Sequence, residues 1–228
     1  MLYEKPVFLV MGDRALLVEM GEGISPPVNR KVRELLLRLD KTPADGVLDL
    51  VPGYRSLLVV YDPLRISLPQ VQGKVLEACG AGDPAPFPEL KTVRIPVCYG
   101  GEYGPDLDWV AAYHGITPDE VVRLHTEPVY HVYMIGFTPG FPYMGELPDA
   151  LATPRKQTPR IVVPQGSVGI AQKQTGIYPF QSPGGWQVLG RTPLKLFDPR
   201  RLPPVPLEVG DRVKFYPVRA EEVPVWEG

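Results

Sequence analysis

The stretch Thr153–Pro179, TPRKQTPRIVVPQGSVGIAQKQTGIYP, holds the residues whose chemistry is easiest to name. Its repeated T-P-R sets Arg155 and Arg160 on proline-stiffened backbone. An arginine fork on a rigid mount suits bidentate capture of a carboxylate or phosphate, although a surface arginine can also simply face water. Further on, SPGGWQ at Ser182–Gln187 offers backbone N–H groups that could face an oxyanion, with a tight hairpin turn as the alternative. Neither the G-x-x-x-x-G-K-[ST] loop nor a G-x-G-x-x-G opening a helix occurs, so no standard nucleotide loop is present.

A second stretch, GFTPGFPYMGELP at Gly136–Pro148, places a G-F-T-P and a G-F-P unit side by side. Gly and Pro fix the backbone there, while Phe137, Phe141 and Tyr143 supply flat apolar surface for a pocket wall or a barrel plug. His114, His125 and His131 lack metal-ligand spacing, and no metal site is expected. His131, on the strand leading into Gly136, is the candidate acid/base; a structural histidine is the alternative. Ser167 and Ser182 sit in Gly/Pro turns without a G-x-S-x-G elbow. Asp198, the lone acid among residues 151–201, reads as a turn residue, an arginine partner or a general base.

These residues need a scaffold. VFLV (7–10) and ALLVEM (15–20) read as strands, and SPPVNRKVRELLLRLD reads as a helix with Ser25 at its N-cap. GVLDLVP and SLLVVYDP are two more strands. A second helix opens with Ser67 and Gln70 in a capping box and stops at Gly80. From the second strand the order is β-α-β-β-α, a split βαβ pattern that TVRIPV (92–97) could close. The Pro-rich stretch 83–90 reads as a linker between residues 1–82 and 91–228. Beyond it, DLDWVAAYH and TPDEVVRLH are short helices and VYHVYMIGF is a strand. RIVVP, SVGIAQ, GIYPF, WQVLGR, LKLFD and DRVKFYP then recur with turn signals between, as in an all-β barrel or sandwich.

Bulk composition bounds these readings. The 228 residues include 29 Pro and 23 Gly, roughly twice the average share, with an ordinary apolar fraction of 44%. That combination predicts a turn-rich folded protein, not disorder. Residues 1–150 carry 13 Lys and Arg against 20 Asp and Glu, whereas residues 151–201 carry eight against one. The basic segment suits an anionic ligand or acidic partner, and no nucleic-acid motif accompanies it. Cys79 and Cys98 form no disulfide or zinc pattern, which predicts a reducing, cytoplasmic setting. The N-terminal apolar run is too short for a signal peptide or a membrane span.

GFTPGFPYMGELP, the Thr153–Pro179 stretch and SPGGWQVLGRTPLKLFDP, with GDRALLVEMG and GVLDLVPGYRSLLVVYDP nearer the front, closely resemble the KipI-like family, also called the allophanate hydrolase subunit 1 family. The resemblance covers essentially the whole chain. It implies an α+β protein with an N-terminal ferredoxin-like domain followed by a cyclophilin-like β-barrel domain. It also implies one of three roles. The first is the B component of a bacterial 5-oxoprolinase, which opens 5-oxo-L-proline to L-glutamate using ATP (with Mg, at the level of the complex) together with A and C components, the C component being KipA-like. The second is an inhibitor of a sensor histidine kinase. The third is half of a urea carboxylase carboxyltransferase, for which this chain has no biotin-bearing segment. Under the first role, Arg155, Arg160, Lys173 and Arg191 are the candidate cations for the substrate carboxylate or phosphate. Gln174, Thr175, Gly176, Gly184 and Gly185 are candidate neutral donors, and the protein is expected to be inactive alone.

Overall fold

The computed structural model describes residues 1–82 and 90–222, so the segment expected as a linker lies, apart from Leu90, outside the described residues. The chain divides into two compact units, Met1–Glu89 and Leu90–Gly228.

The first unit contains β1 (Leu2–Met11), β2 (Ala15–Gly21), α1 (Pro26–Lys41), β3 (Val47–Pro52), β4 (Ser56–Tyr61) and α2 (Leu68–Gly80). Its sheet runs β1-β2-β4-β3, antiparallel throughout. Alternate residues Leu16, Val18, Leu57 and Val59 are buried with the helical stripe Val28, Val32, Leu35, Val71 and Val75. Ser25 occupies the N-cap of α1 in extended backbone, but its side chain makes no capping bond. At α2, Gln70 Oε1 accepts from the Ser67 N–H at 2.9 Å and the Ser67 hydroxyl at 2.7 Å. Arg38 of α1 donates to the Ala78 and Gly82 carbonyls at 2.5 and 2.6 Å, closing the C-terminus of α2.

The second unit contains β5 (Thr92–Tyr99), α3 (Leu107–His114), α4 (Pro118–Thr126), β6 (Tyr130–Ile135), β7 (Pro142–Gly145), β8 (Arg160–Val163), β9 (Ser167–Ala171), β10 (Gln174–Ile177), β11 (Ser182–Gly184), β12 (Gln187–Arg191) and β13 (Arg212–Pro217). Seven of these close a barrel in the order β10-β7-β6-β13-β5-β12-β9, while β8 and β11 form a separate two-stranded ribbon. Two expectations are corrected, and one strand, β7, was not expected. TVRIPV does not close the first sheet: β5 pairs in parallel with β13 and antiparallel with β12, and β1 fills the edge beside β2. LKLFD is not a strand; it sits between Pro193 and Pro199, and the Leu196 carbonyl lies against Gly140. β7, inside the aromatic stretch, had no four-residue alternation strong enough to be read.

Apolar residues Ile95, Val132, Met144, Ile170, Ile177, Leu189 and Val213 belong to the main core of this unit. One polar thread crosses it. His125 is fully buried, with Nδ1 2.7 Å from the Tyr99 hydroxyl and Nε2 2.9 Å from the Thr175 hydroxyl. The Thr175 hydroxyl donates to the Gly169 carbonyl at 3.2 Å, so Nε2–H donates to Thr175 and Nδ1 accepts from Tyr99. The imidazole stacks on Phe215 at 4.8 Å, and Tyr130 donates to the His125 carbonyl at 2.8 Å. Burial depresses the His125 pKa to about 3, so the ring is neutral.

The unfolded chain takes a proton on His125 near pH 6.5, which the folded chain refuses until about pH 3. The stabilisation is therefore complete above pH 6.5 and is lost as pH falls towards 3. Urea unfolding at pH 5 is expected to give a stability lower by about 2 kcal/mol than at pH 7 from this residue. A His125→Gln variant should be weaker overall and lose that slope. Flat wild-type stability over this range would contradict the assignment.

Candidate functional site

Glycines on β10 and β11 provide seats for aromatic rings, and one on β9 lets the neighbouring strand approach closely. A Cβ on Gly176 would lie 2.8 Å from the Phe141 ring and 3.0 Å from the Pro142 carbonyl. One on Gly169 would approach Trp186 Cβ at 3.3 Å, and one on Gly184 would collide with the Tyr178 hydroxyl. Phe141 thereby packs 4.7 Å from Tyr143, 5.2 Å from Tyr178 and 5.5 Å from Trp186, while Tyr143 lies 5.9 Å from Trp186. Gly176 and Gly184 were expected as anion donors, and their visible constraint is this packing. Phe137 sits at the rim, 63% exposed, with its ring 5.7 Å from Phe141. Its φ of 66° is strained for a residue with a side chain and is held by the G-F-T-P-G turn.

One residue that the sequence did not single out organises the basic segment. Asp106 begins α3 and is 3% exposed. Its carboxylate accepts from Arg160 Nη1 and Nη2, both at 2.7 Å, from Lys156 Nζ at 3.1 Å and from the Val188 N–H at 2.7 Å. Burial alone would raise its pKa, but the bonds from Arg160, Val188 and Lys156 outweigh that and hold it below the usual range. Arg160 is thus half of a clamp and not a free fork. The legible signal for Asp106 was its place just before a helix, yet its side chain makes no cap bond to that helix.

The remaining candidates divide in the same way. Lys173 pairs with Asp149 at 2.5 Å on the surface. Arg191 Nε donates to the Gln165 carbonyl at 2.6 Å. Thr175 faces the interior and bonds His125. Asp198 accepts from Arg200 N, Nε and Nη2, each at 3.0 Å, and these bonds hold its pKa down at about 2, which makes it a weak base and a turn partner. His131, on β6, meets the Tyr133 ring edge-on at 4.8 Å. The Gly185 carbonyl accepts from the Lys156 N–H at 2.7 Å. Gln174 Nε2 is buried with no hydrogen-bond partner among the described residues. Arg155 is exposed, and among the described residues no hydrogen bond or ion pair engages it. No helix among the described residues is long and apolar enough to cross a membrane, and no cluster of three or more His, Cys, Asp or Glu there could hold a metal ion.

The sequence profile of the family described as "Carboxyltransferase domain, subdomain C and D" matches residues 6–207. The B subunit of 5-oxoprolinase from Bacillus subtilis (strain 168) is 42% identical over 215 residues, 90% of this chain and 90% of that one. The protein of the same name from Haemophilus influenzae is 49% identical over 169 residues, 74% of this chain and 78% of that one. Urea amidolyase of Lachancea kluyveri is more distant, at 28% over 96% of this chain and 14% of its own length. Among solved structures, TTHA0988 superposes with a TM-score of 0.80 at 40% identity over 92% of this chain, which spans 41% of that longer protein.

Removing the Asp106 carboxylate strands two cations. Asp106→Ala is expected to lower stability by about 3 kcal/mol in urea unfolding, and adding Arg160→Met should recover part of that loss. A single-variant change below about 0.5 kcal/mol would refute the clamp. Gly176→Ala should cost about 1–3 kcal/mol by overpacking Phe141, read as a lower thermal midpoint.

Proposed function

The chain belongs to the carboxyltransferase domain, subdomain C and D family, and from that premise we propose that it is the B component of a 5-oxoprolinase. The observation that carries this reading is the shared length: the match to the Bacillus subtilis relative runs over nine-tenths of both chains. The working enzyme is then an assembly with A and C components that opens 5-oxo-L-proline to L-glutamate at the expense of ATP and Mg in the cytoplasm, with no biotin on this chain.

A five-membered lactam is a stable amide. ATP supplies the chemistry that turns its oxygen into part of a leaving phosphate, and two waters are consumed overall. The protein must hold the carboxylate of the small ring and place donors around the charge that gathers on the amide oxygen. The basic segment and the aromatic cluster beside it provide groups of those types on the second unit. The absence of a standard nucleotide loop in this sequence suits a division of labour in which a partner component contributes the phosphate-binding part.

We also assign the finer folds on this reading. The first unit is ferredoxin-like, its order β1-β2-β4-β3 matching the four-stranded pattern with β1 in place of the closing strand. The second is cyclophilin-like. The boundary falls at 83–90, between a domain of residues 1–82 and one of residues 91–228.

Reconstitution tests the function. With A and C components, ATP and Mg, glutamate and phosphate are expected to appear together in response to 5-oxoproline. Either the chain alone or the mixture lacking it should give background. A complete, folded mixture without activity sinks the reading, and slower autophosphorylation of a histidine kinase under the same conditions would favour the inhibitor role.

A further inference from the structure

An antiparallel sheet with one face on a core and the other in water reads apolar-in, polar-out. The sheet of the first unit departs from that pattern. β2 reads ALLVEMG and β4 reads SLLVVY, so neighbouring residues, which point to opposite faces, are both apolar. Leu16, Val18, Leu57 and Val59 take the inner face, against the helices. On the outer face one row of register partners crosses all four strands as Leu9, Leu17, Leu58 and Val51, with no polar residue among them. The row on one side is Met11, Ala15, Val60 and Asp49, and the row on the other is Val7, Glu19 and Ser56. Charge stays at the ends: Glu19 pairs with Arg55 at 2.6 Å, and Asp49 stands on an edge strand. Val7, Leu9, Met11 and Val51 are 41, 42, 51 and 46% exposed.

An apolar centre with charge at its rim is the anatomy of a protein interface. A sheet face is broad and shallow, whereas small-ligand sites are concave. The three rows contain no Lys or Arg, which an anionic membrane surface would call for. The two edges of the sheet differ as well. β3 carries Asp49, Pro52 and a register shift between Val47 and Asp49, all of which discourage strand pairing. β1 has Lys5 and Pro6 in its first half, but Val7–Met11 holds neither charge nor proline. Among the described residues no strand pairs with the far side of β1, so that edge can accept an added strand.

Size and the comparisons bear on the occupant. The rows offer eleven positions, about half of the roughly 20–30 residues that each side of a stable interface uses. A second copy laid face to face falls short of that number. A larger chain that covers the face and wraps the β1 edge reaches it. TTHA0988 carries additional chain on that scale: the likeness spans 92% of this chain and 41% of that protein. In the Bacillus subtilis relative the shared part is nine-tenths of the protein. A unit that occurs both joined to further chain and without it needs a surface for that chain when the two are separate components. We infer that the outer face of this sheet, together with the Val7–Met11 edge, seats another protein component of the assembly, the one that corresponds to the rest of TTHA0988, through an apolar surface and an extended strand added to β1. The partner's identity as a 5-oxoprolinase component rests on the function proposed above; the interface rests on the sheet.

Calorimetric titration of the full chain with the purified A and C components, each alone, tests this. One of the two is expected to bind, and Leu9→Lys combined with Val51→Lys should raise its Kd at least about 30-fold, as loss of an interface centre does. Leu76→Lys, at a half-exposed residue of α2 on the helical side of the same unit, should leave the Kd unchanged. Both variants should keep the urea midpoint of the parent chain. If the double variant fails to fold, Met11→Lys at the end of β1 puts the same question. In mixtures that turn over 5-oxoproline, the double variant should need correspondingly more chain for half-maximal rate and reach the same maximum. An active mixture whose components bind variant and parent equally overturns the inference and leaves the function standing. Binding that the variant loses, in a mixture without turnover, upholds the interface and sinks the function. No binding of either component overturns the interface whatever the mixture does. A dimer of the parent chain alone that the double variant breaks assigns the face to a second copy and overturns the inference too.

Discussion

Four donors converge on the carboxylate of Asp106: both terminal nitrogens of Arg160, the Lys156 ammonium and the Val188 amide. They come from positions 50 to 82 residues away along the chain. This one acid therefore ties the start of α3, the T-P-R-K-Q-T-P-R segment and strand β12 into a single body. A buried anion needs such company, because several kcal/mol of lost hydration must be offset by direct contacts. The same demand makes the arrangement specific: no shift of the basic segment along the barrel would keep all four bonds.

The aromatic cluster depends on that body. With the basic segment fixed by Lys156 and Arg160, its backbone can bind Gly185 and Gln187 on either side of Trp186. The Phe141 ring then lies over Gly176, and the Gln187 carbonyl and Trp186 Cβ close on Gly169, positions that carry no side chain. Glycine appears there because a ring, at Gly176, or the neighbouring strand, at Gly169, crowds the space a Cβ would need, and at Gly140 and Gly166 because φ is 84° and 79°. The many Gly and Pro residues of this half thus serve packing and chain direction first.

Charge balance sorts the basic residues. Once Asp106, Asp149 and Asp198 have taken their partners, most of the cations that make residues 151–201 basic are occupied within the fold. His125 shows the complementary rule for a titratable group without a counterion: it stays neutral in the core, and two hydroxyls satisfy its nitrogens.

The sequence by itself determined the family and the local elements. Long motifs such as GFTPGFPYMGELP carried the first. Apolar period, the Ser67–Gln70 pair and the glycines at the ends of α2 and α3 carried the second, because these signals act over a few neighbouring residues. It also named Arg155, Arg160, Tyr143 and Gln174 as candidates, without showing what each of them touches. Only the tertiary structure decided that Asp106 engages Arg160 and Lys156, and that β5 joins the barrel instead of closing the first sheet. The reason is physical: a salt bridge between residues 106 and 160, or a strand pairing of Thr92 with Arg212, is fixed by the whole closed barrel, and no pattern within either short segment encodes it.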